Sequence, residues 1–524
     1  MNEIKRFEFK KNGIELVKSY HFGSNWPIVY ILEGGNEVYV GETKGAYNRG
    51  LEHLKNPERL KLQSMFIIAD DEFNKSATLD IESSLIKYMA ADAKYLLQNG
   101  NAGLLDSNYY DRERYQAKFQ LLWQELKRLE LVNKDLVQIE NEDLFKYSPY
   151  KALTEDQNKV VEDILIQIEK GEKVQDIISG EPGTGKTIVA TYLMKRLTTF
   201  KYSKDFKIGL VIPMTSLRKT LRKVFKSIKG LSPSMVIGPS DVIKQKFDLL
   251  IVDESHRLQR RINIPNFKDF DRVNSSLGLD KFEGNQLDWI VKASTHQIIF
   301  YDQFQSIKPA DIRPEALNKY NFKSFELSSQ MRVKGGDDYI KYIRNILDVR
   351  QYEPKKFDNY ELKYFENFEE MVKAIKEKDK SEGLSRLLAG YSWKWVTNKN
   401  EIIDFDIEIE GVRLKWNSVT KDWVNSKDAV NEVGCIHTIQ GYDLNYAGVI
   451  IGPELSYDSK LNKITVDKAK YLDFNGKRAI TDPKELEIYI KNIYKTLLTR
   501  GIMGTYVYIV DKNLKKYMSK YFSI

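Results

Sequence analysis

The eight residues GEPGTGKT at positions 180–187 constrain the fold of this chain more than any other stretch. They match the pattern G-x-x-x-x-G-K-[ST]. They stand between an apolar run at 174–178, typical of a buried strand, and a run at 188–193 that opens a helix. In this context the backbone N–H groups wrap a phosphate chain, and the helix N-terminus attracts its negative charge. A Gly-rich turn without a ligand is the alternative. The pattern and its flanks favour a nucleoside triphosphate site.

Two positions of this loop have specific expected roles. The Lys186 ammonium is expected to reach the β- and γ-phosphates, and the Thr187 hydroxyl is expected to hold Mg²⁺. The predicted nucleotide-binding residues of the loop are Gly180, Gly183, Thr184, Gly185, Lys186 and Thr187.

A second apolar run, at 247–252, leads into Asp253 and Glu254. An apolar strand that ends in such a pair is a Walker B-type signal. Asp253 is the predicted Mg²⁺ ligand, and Glu254 is predicted to polarise the attacking water. A simple acidic turn is the alternative, which the position downstream of the Gly-rich loop disfavours.

The composition indicates a multidomain globular protein. With 524 residues the chain has room for roughly three or four domains. One cysteine, Cys435, excludes an intrachain disulfide framework, and we expect a cytoplasmic protein. The first residues lack the apolar core of a signal peptide, and no apolar run approaches the length of a membrane span. The net charge of +8 permits nucleic-acid binding without requiring it.

The first hundred residues contain a predicted hairpin and two predicted helices. Strands at 28–32 and 38–41 flank a turn that carries Gly and Asn. Arg49 and His53 lie four residues apart and share one face of the first helix, and Glu82 lies among apolar residues of the second. Taken singly, a hairpin tyrosine usually packs in a core and a helical glutamate usually faces solvent.

Together these residues resemble the GIY-YIG nuclease domain over about residues 26–105. The family's two tripeptides correspond to Val29-Tyr30-Ile31 and Tyr39-Val40-Gly41, followed by Arg49, His53 and Glu82. The resemblance implies that Glu82 holds Mg²⁺ and that Arg49 binds the scissile phosphate. It further implies that Tyr30 or Tyr39 helps to activate water. His53 would assist Tyr39 or Arg49, and Asn101 would support the site. A domain that keeps this fold without cleaving is the alternative.

Three other stretches have a predicted structure. Residues 106–150 carry aromatic and leucine side chains at helical spacing, which predicts a helical connector whose aromatic stripe packs as core. Residues 257–297 are interpreted as an insertion with a basic start that faces nucleic acid or solvent. Residues 391–424 carry four tryptophans, which we expect to pack in strands or hairpins rather than to stack on bases.

Further motifs flank the Gly-rich loop in a fixed order. Gln157, about thirty residues before Lys186, resembles the glutamine with which superfamily 1 helicases read adenine. Gln303, after the apolar run at 298–301, resembles the glutamine that senses the γ-phosphate. Arg332 resembles the arginine that reaches the γ-phosphate from the second core domain, and Arg500 resembles the arginine finger.

From about residue 150 to the C-terminus the chain resembles the Schlafen group 3-like DNA/RNA helicase domain, a superfamily 1-type module. The segment HTIQGYD at 437–443, followed by YAGVIIGPEL, is especially similar. In it, Thr438, Gln440 and Gly441 resemble the motif that links nucleic-acid contact to the nucleotide. The resemblance implies two RecA-like α/β lobes with ATP between them and a nucleic-acid strand across their tops.

The predicted fold class is α/β multidomain. We expect a small α/β GIY-YIG-like domain at 1–105, a helical connector at 106–150 and two RecA-like parallel-sheet lobes at 151–320 and 321–524. The predicted function is an ATP- and Mg²⁺-dependent enzyme that combines an endonuclease with a helicase or translocase. We expect it to act on DNA rather than RNA. By analogy of architecture, the expected setting is bacterial restriction, antiviral defence or DNA repair.

Two other functions remain open. One is a nucleotide-gated sensor that binds nucleic acid without translocation, and the other is a binding module without cleavage. An oligomer or a protein partner is also compatible with the sequence, whereas a membrane is not expected.

Overall fold

The computed structural model describes residues 3–100, 109–151, 153–199, 206–330, 332–350, 353–397, 404–419, 422–439, 441–478 and 480–522. The chain forms two compact units. The first comprises Met1–Ile166, Thr187–Asp205 and Leu221–Met235, and the second comprises Gln167–Lys186, Phe206–Thr220 and Val236–Ile524. No helix within the described ranges is both long enough and apolar enough to cross a membrane.

The N-terminal part of the first unit is built on a five-stranded sheet. Its strand order is β1 (Glu3–Glu8), β4 (Ser64–Ala69), β2 (Ile28–Gly34), β3 (Glu37–Thr43) and β5 (Leu96–Leu97). β2 and β3 form the predicted antiparallel hairpin, whose turn contains Gly35 at φ +63°. The helices of this region are α1 (Lys11–Lys18), α2 (Ala46–His53) and α3 (Lys75–Asp92). Alternate residues of β2 (Ile28, Tyr30 and Leu32) pack in one apolar cluster with Ile14 and Val17 of α1.

The predicted helical connector packs against α3. Its helices are α4 (Arg112–Arg128), α5 (Leu136–Glu140) and α6 (Asp143–Lys146). The rings of Phe119 and Trp123 lie 5.5 and 5.7 Å from the ring of Tyr88 on α3. The prediction that this aromatic stripe is core is therefore confirmed.

Asp92, the last residue of α3, joins that helix to the connector. Its buried carboxylate accepts hydrogen bonds from the backbone N–H groups of Asn133 (3.1 Å) and Lys134 (2.7 Å). Two loop amides thus depend on one side chain.

The first parallel sheet carries the Gly-rich loop. Its strand order is β11 (Lys323–Leu327), β6 (Gln175–Gly180), β10 (Ser294–Tyr301), β9 (Phe247–Val252), β7 (Ile208–Val211) and β8 (Val236–Ile237). Because all neighbouring strands are parallel, the ends of β6, β10 and β9 meet at one edge. In chain order, residues 155–317 also contain the helices α7 (Glu155–Glu169), α8 (Lys186–Thr199), α9 (Thr215–Lys226), α10 (Phe267–Ser276), α11 (Gln286–Ala293) and α12 (Pro314–Leu317).

Two sequence interpretations need correction here. The second lobe was expected to begin at 321, but β11 belongs to the first sheet because it pairs in parallel with β6 from Lys323 onward. Residues 257–297 are not an insertion. They contain α10 and α11 and form the crossover that two neighbouring parallel strands, β9 and β10, require. The basic start of this crossover is held internally, because Arg257 bonds Asp311 at 2.7 Å.

The second parallel sheet has seven strands. Its order is β12 (Glu361–Tyr364), β20 (Gly501–Ile509), β17 (Leu444–Ile451), β13 (Ser385–Ala389), β16 (Glu432–Cys435), β15 (Val412–Trp416) and β14 (Ile407–Ile409), with only β14 antiparallel to its neighbour. A separate hairpin pairs β18 (Leu455–Asp458) with β19 (Lys463–Val466). The helices are α13 (Gly336–Leu347), α14 (Phe368–Glu382), α15 (Ile436–Ile439), α16 (Phe474–Lys477), α17 (Pro483–Leu498) and α18 (Lys512–Met518).

The tryptophans near this sheet are part of its core, as expected. Trp416 on β15 and Trp423 are both buried, and the ring of Tyr391 stacks on Trp416 at 5.4 Å. Trp393 and Trp395 are partly buried and pack against the same cluster as Trp416.

The Asp92 contacts give the first prediction. Asp92→Ala should lower the free energy of unfolding of the first unit by about 1–3 kcal/mol, because it leaves two loop amides without their acceptor. The measurement is urea denaturation of the full chain followed by hydrogen exchange at the amides of 133 and 134. Asp135→Ala is the matched control, since Asp135 makes an exposed ion pair with Lys127. Equal stability of the two variants would contradict the prediction.

Candidate active sites

The loop after β6 closes around the Lys186 ammonium group. Lys186 Nζ donates hydrogen bonds to the carbonyl oxygens of Gly180 (2.6 Å) and Glu181 (3.0 Å). It also lies 3.3 Å from the Asp302 Oδ2 atom at the end of β10. Lysine and aspartate side chains are both buried here, at 7% and 2% exposure. The loop thus holds a desolvated cation whose present partners are all oxygen atoms that a phosphate could replace.

Glycine is required at two points of this loop. Gly183 and Gly185 have φ values of +93° and +76°, which residues with a side chain rarely adopt. A Cβ atom on Gly183 would lie 1.9 Å from Gln330 Oε1. The Gln330 Nε2 atom in turn donates to the carbonyl oxygen of Pro182 at 2.7 Å, and Thr184 Oγ1 donates to that of Glu181 at 2.9 Å. The conformation of the loop therefore depends on its own glycines and on Gln330.

Two predicted nucleotide-binding residues belong to the first unit. Thr187 directly follows Lys186 in sequence and lies in the first turn of α8. Gln157 is buried in the first turn of α7, where its Oε1 atom accepts the backbone N–H of Thr154 at 3.1 Å. Their expected roles in Mg²⁺ and adenine binding stay predictions.

The acidic pair after β9 is buried. Asp253 Oδ1 accepts the backbone N–H of Glu254 at 2.9 Å, and Glu254 has φ +51°, in the left-handed region. Glu254 Oε2 lies 3.0 Å from His256 Nε2. Burial acts to raise the pKa of Glu254, but His256, Lys186 and Arg500 together hold that pKa below its ordinary value. Glu254 is therefore a carboxylate, the form that can accept a proton from water.

Asp302 organises the turn after β10. Its carboxylate accepts hydrogen bonds from the Gln305 side chain (2.7 Å) and from the backbone N–H of Phe304 (3.0 Å). Burial acts to raise the pKa of Asp302, but the charges of Lys186 and His256 and the hydrogen bonds from Gln305 and Phe304 together outweigh burial, so that the pKa is lowered. The Asp302 carboxylate thus stays ionised beside the Gly-rich loop.

Gln305 is the glutamine that bonds this carboxylate, and the γ-phosphate role predicted for Gln303 stays a prediction. The Gln303 side chain is exposed, whereas Gln305 is 3% exposed and its Oε1 atom accepts a hydrogen bond from Arg500 Nη2 at 3.4 Å. The Asp302 carboxylate accepts the backbone N–H of Phe304. The turn closed by this bond brings the side chain of Gln305 back to the same carboxylate. A short polar turn that opens with aspartate was the available signal for this bend.

The two predicted arginines both approach Asp443. Arg332 Nε lies 2.6 Å and Arg500 Nη1 lies 4.0 Å from Asp443 Oδ1. Arg500 Nη1 also donates to the carbonyl oxygen of Tyr442 at 3.1 Å. Thr438 Oγ1 accepts the backbone N–H of Cys435 at 3.1 Å, and Gly441 has φ +89°. The predicted Gln440 lies outside the described residues.

The acidic end of β9 fits a divalent cation. Asp253 is a fully buried carboxylate at the same sheet edge as Lys186, and carboxylate oxygen is a preferred Mg²⁺ ligand. Asp253 is thus the residue of the second unit that would hold Mg²⁺. Within the described ranges no group of three or more His, Cys, Asp or Glu side chains is arranged to hold a metal ion by itself.

A separate polar cluster lies beneath the N-terminal hairpin. The Tyr30 hydroxyl lies 2.8 Å from His53 Nε2, and Arg49 Nε donates to the Tyr30 oxygen at 3.3 Å. Because arginine can only donate, the Tyr30 proton is free to bond His53. A Cβ atom on Gly41 would lie 2.3 Å from the Tyr30 hydroxyl, so glycine at 41 is what lets Tyr30 occupy this place.

The two tyrosines of this cluster differ in exposure. Tyr30 is fully buried, whereas Tyr39 is partly exposed and its ring lies 5.0 Å from the His53 ring. The Arg59 guanidinium covers the Tyr39 ring at 3.7 Å. Burial together with Arg49 and Arg59 lowers the pKa of His53 to about 4, so that its ring is neutral at physiological pH.

Glu82 on α3 shares its surroundings with Glu42, which follows the second tripeptide and to which the sequence assigned no role. Burial and the charge of Glu42 raise the pKa of Glu82 to about 7. Glu42 pairs with Lys75, and its Oε2 atom accepts a hydrogen bond from Thr78 Oγ1 at 3.2 Å. Two facing carboxylates of which one resists ionisation are a fit for a cation, because the cation would remove their repulsion.

Asn99 is a further residue that the sequence did not single out. Its side chain donates to the carbonyl oxygen and accepts from the N–H of Val40, at 2.8 and 3.0 Å, and so fixes the strand that carries Tyr39. The predicted Asn101 lies outside the described residues.

The comparisons with known proteins concern the larger part of the chain. Residues 173–511 match the family described as the Schlafen group 3, DNA/RNA helicase domain. An uncharacterized protein of Saccharomyces cerevisiae is 27% identical over 391 residues, which cover 65% of this chain and 82% of that protein.

Two solved helicases are similar at lower identity. The Pif1 helicase from Bacteroides, in complex with ADP-AlF3 and ssDNA, has 15% identity and a TM-score of 0.30, covering 71% of this chain and 95% of that one. The Pif1 helicase from Candida albicans has 13% identity and a TM-score of 0.28, covering 71% and 97%. TM-scores this low do not establish a shared fold.

The contrast between the two glutamines gives the second prediction. Gln305→Ala should lower ATP turnover by about tenfold, since it removes a hydrogen bond to a charged group at both Asp302 and Arg500. Gln303→Ala is the matched control and should stay within about twofold of the parent. The measurement is the steady-state rate of phosphate release from ATP. A larger loss of ATP turnover in Gln303→Ala than in Gln305→Ala would contradict this prediction and favour the γ-phosphate role that the sequence predicts for Gln303.

Proposed function

Because this chain belongs to the Schlafen group 3 DNA/RNA helicase domain family, we propose that it hydrolyses ATP at the loop after β6 and uses that energy to move on or remodel nucleic acid. It is a helicase-like nucleic-acid enzyme with two parallel sheets of the RecA-like type. The observation that carries the proposal is the chain of contacts from Lys186 through Asp302 and Gln305 to Arg500. This series of contacts connects the Gly-rich loop to Arg500, which directly precedes β20 of the second sheet.

The proposed mechanism assigns one step to each charged group. When a triphosphate enters, Lys186 exchanges Asp302 for the β- and γ-phosphate oxygens. The ionised Glu254 orients the attacking water and accepts its proton. Arg332 and Arg500, which now face Asp443, turn to the charge that develops on the γ-phosphate. Asp253 would hold Mg²⁺, which would neutralise phosphate charge. The Mg²⁺ role expected of Thr187 stays a prediction.

The third prediction tests the ATPase. Lys186→Ala should reduce ATP hydrolysis to background, because it removes the cation that the loop holds for the phosphates. Lys244→Ala is the control, since Lys244 is exposed and contacts only Asp241 through an exposed ion pair. The measurement is phosphate release with and without single-stranded DNA and RNA, in parallel. Hydrolysis that survives in Lys186→Ala would contradict the proposal.

The same assay separates a translocase from a sensor. A translocase hydrolyses ATP continuously on a long single strand, so that its rate rises with strand length. A nucleotide-gated sensor turns over at a rate that does not depend on strand length. The expected preference for DNA over RNA and the expected place in bacterial restriction, defence or repair stay predictions.

The polar cluster of Tyr30, Arg49, His53 and Glu82 supports a second activity, Mg²⁺-dependent hydrolysis of a phosphodiester bond. Arg49 has a side chain that is 41% exposed and is oriented from below by Tyr30, so it can bind the scissile phosphate. Tyr39, the partly exposed tyrosine, orients the attacking water beside the neutral His53 ring. Glu82 with Glu42 would hold Mg²⁺, which stabilises the leaving oxygen.

The fourth prediction tests the cleavage. Glu82→Gln should abolish cutting of supercoiled DNA in Mg²⁺, because the amide lacks the charge that binds the cation. Glu113→Gln, an exposed glutamate of the connector, is the control. The measurement is conversion of supercoiled, linear and single-stranded DNA, and of RNA, with and without ATP. Lys186→Ala should change the cutting pattern only in the presence of ATP.

The outcomes of this experiment distinguish three proteins. Cutting that Glu82→Gln abolishes and Lys186→Ala alters identifies a nuclease controlled by its ATPase. ATP hydrolysis without any cutting leaves a helicase whose N-terminal unit binds nucleic acid. Cutting that survives Glu82→Gln would contradict the assignment of the N-terminal cluster.

A further inference from the structure

Lys495 on α17 is a buried cation for which the proposed mechanism has no use. Its side chain is 5% exposed, and its Nζ atom makes no hydrogen bond within the part of the chain that the structure describes. A buried, unbonded ammonium group costs free energy, so its place needs a compensating interaction. That interaction is the face of one aromatic ring.

The ring belongs to Phe304, in the turn that Asp302 organises. Lys495 Nζ lies 3.7 Å from the centre of the Phe304 ring, and the Arg344 guanidinium of α13 lies 4.6 Å from it. Arg344 also forms an ion pair with Glu181 of the Gly-rich loop. A ring whose face attracts cations is thus held by two cations of the second sheet's helices.

Phe304 is connected directly to the lysine of the Gly-rich loop. Its backbone N–H bonds Asp302 Oδ1, and the other oxygen of that carboxylate lies 3.3 Å from Lys186 Nζ. A triphosphate that draws Lys186 away removes a positive partner from Asp302. The charge around the Phe304 turn then changes at the place where Lys495 contacts it.

We propose that Lys495 is a positioning residue that couples occupancy of the Gly-rich loop to the second sheet, by holding the Phe304 ring in the charge field of Asp302 and Glu181. This inference rests on the proposed nucleotide site but not on hydrolysis. The contact described for Lys495 is with Phe304 rather than with the loop. Its effect should therefore be on the linkage between nucleotide binding and DNA binding rather than on nucleotide affinity.

The protonation of Lys495 supports a functional reading. Burial, followed by the charge of Arg344, lowers its pKa to about 8, while Glu181, Asp302 and Asp348 act in the opposite direction. These are the charged groups that face it from the loop, from the turn after β10 and from the end of α13. Its charge is therefore present below about pH 8 and is lost as the pH rises above that value, which gives the coupling a pH signature.

The fifth prediction concerns the linkage between nucleotide and single-stranded DNA. The experiment measures the Kd of a labelled oligothymidylate, by anisotropy, with and without a non-hydrolysable ATP analogue, from about pH 7 to about pH 10. The coupling ratio is the larger of these two Kd values divided by the smaller. In the parent this ratio should fall toward one above about pH 8. Lys495→Met should reduce that ratio by about tenfold at pH 7, the size expected for a desolvated cation–π contact. Its Kd for the analogue alone should stay within about twofold.

Three further variants make the test specific. Lys495→Arg keeps the cation at all these pH values, so it should preserve the ratio and remove its decline above about pH 8. Phe304→Leu combined with Lys495→Met should lose no more than Phe304→Leu alone, because loss of the ring already removes the Lys495 contact. Lys491→Met, on the same helix with an ion pair to Glu487, should behave as the parent.

The outcomes separate this inference from the proposed function. A parent that couples the two ligands but does not hydrolyse ATP would contradict the proposed ATPase and leave the role of Lys495 in place. Parent-like coupling in Lys495→Met, or a parent without any coupling, would overturn the inference. A lower Tm in Lys495→Met with unchanged coupling and unchanged pH dependence would also overturn it, because Lys495 would then only fasten α17 to the turn.

Discussion

The buried contact between Lys186 and Asp302 is the interaction on which the rest of the nucleotide site depends. Lys186 comes from the loop after β6 and Asp302 from the end of β10, two neighbouring strands of one sheet. A buried ion pair adds little net stability, because desolvation of both charges offsets their attraction. This ion pair keeps the Lys186 ammonium group in place at the loop. A phosphate chain can replace Asp302 as the partner of Lys186 without leaving any charge unpaired on the lysine.

Contacts of Asp302 link the Gly-rich loop to residues beside the second sheet. Through Gln305 it meets Arg500, and through the backbone of Phe304 it meets the ring that Lys495 and Arg344 hold. The turn after β10 is therefore where three cations contact residues that follow Asp302. Arg500 bonds Gln305, and Lys495 and Arg344 lie over the Phe304 ring. Discrete hydrogen bonds and ring contacts of this kind have two arrangements rather than a continuous range, which suits a coupling device.

The N-terminal cluster is built on a different principle. Its centre is the buried Tyr30 hydroxyl, which accepts from Arg49 and contacts His53, and the absence of a side chain at Gly41 makes room for it. Burial lowers the pKa of His53 and raises the pKa of Glu82, so the same desolvation disfavours the charged form of both side chains. The helical connector holds this region in shape through the Asp92 carboxylate rather than through the cluster itself.

The sequence by itself determined the elements whose signals are local. The glycines and Lys186 of the loop, the acidic pair after β9, the hairpin of β2 and β3 and the aromatic stripe of α4 follow from spacing and residue type. The tertiary structure alone decided which distant residues share a site. Gln305 reaches Asp302 and Arg500 through the turn that Asp302 closes, and β11 joined the first sheet because strand pairing is not local. Glu42 and Lys495 stand in stretches that resemble family motifs, but no sequence signal gave either residue a role, since their surroundings at Glu82 and Phe304 are set by packing.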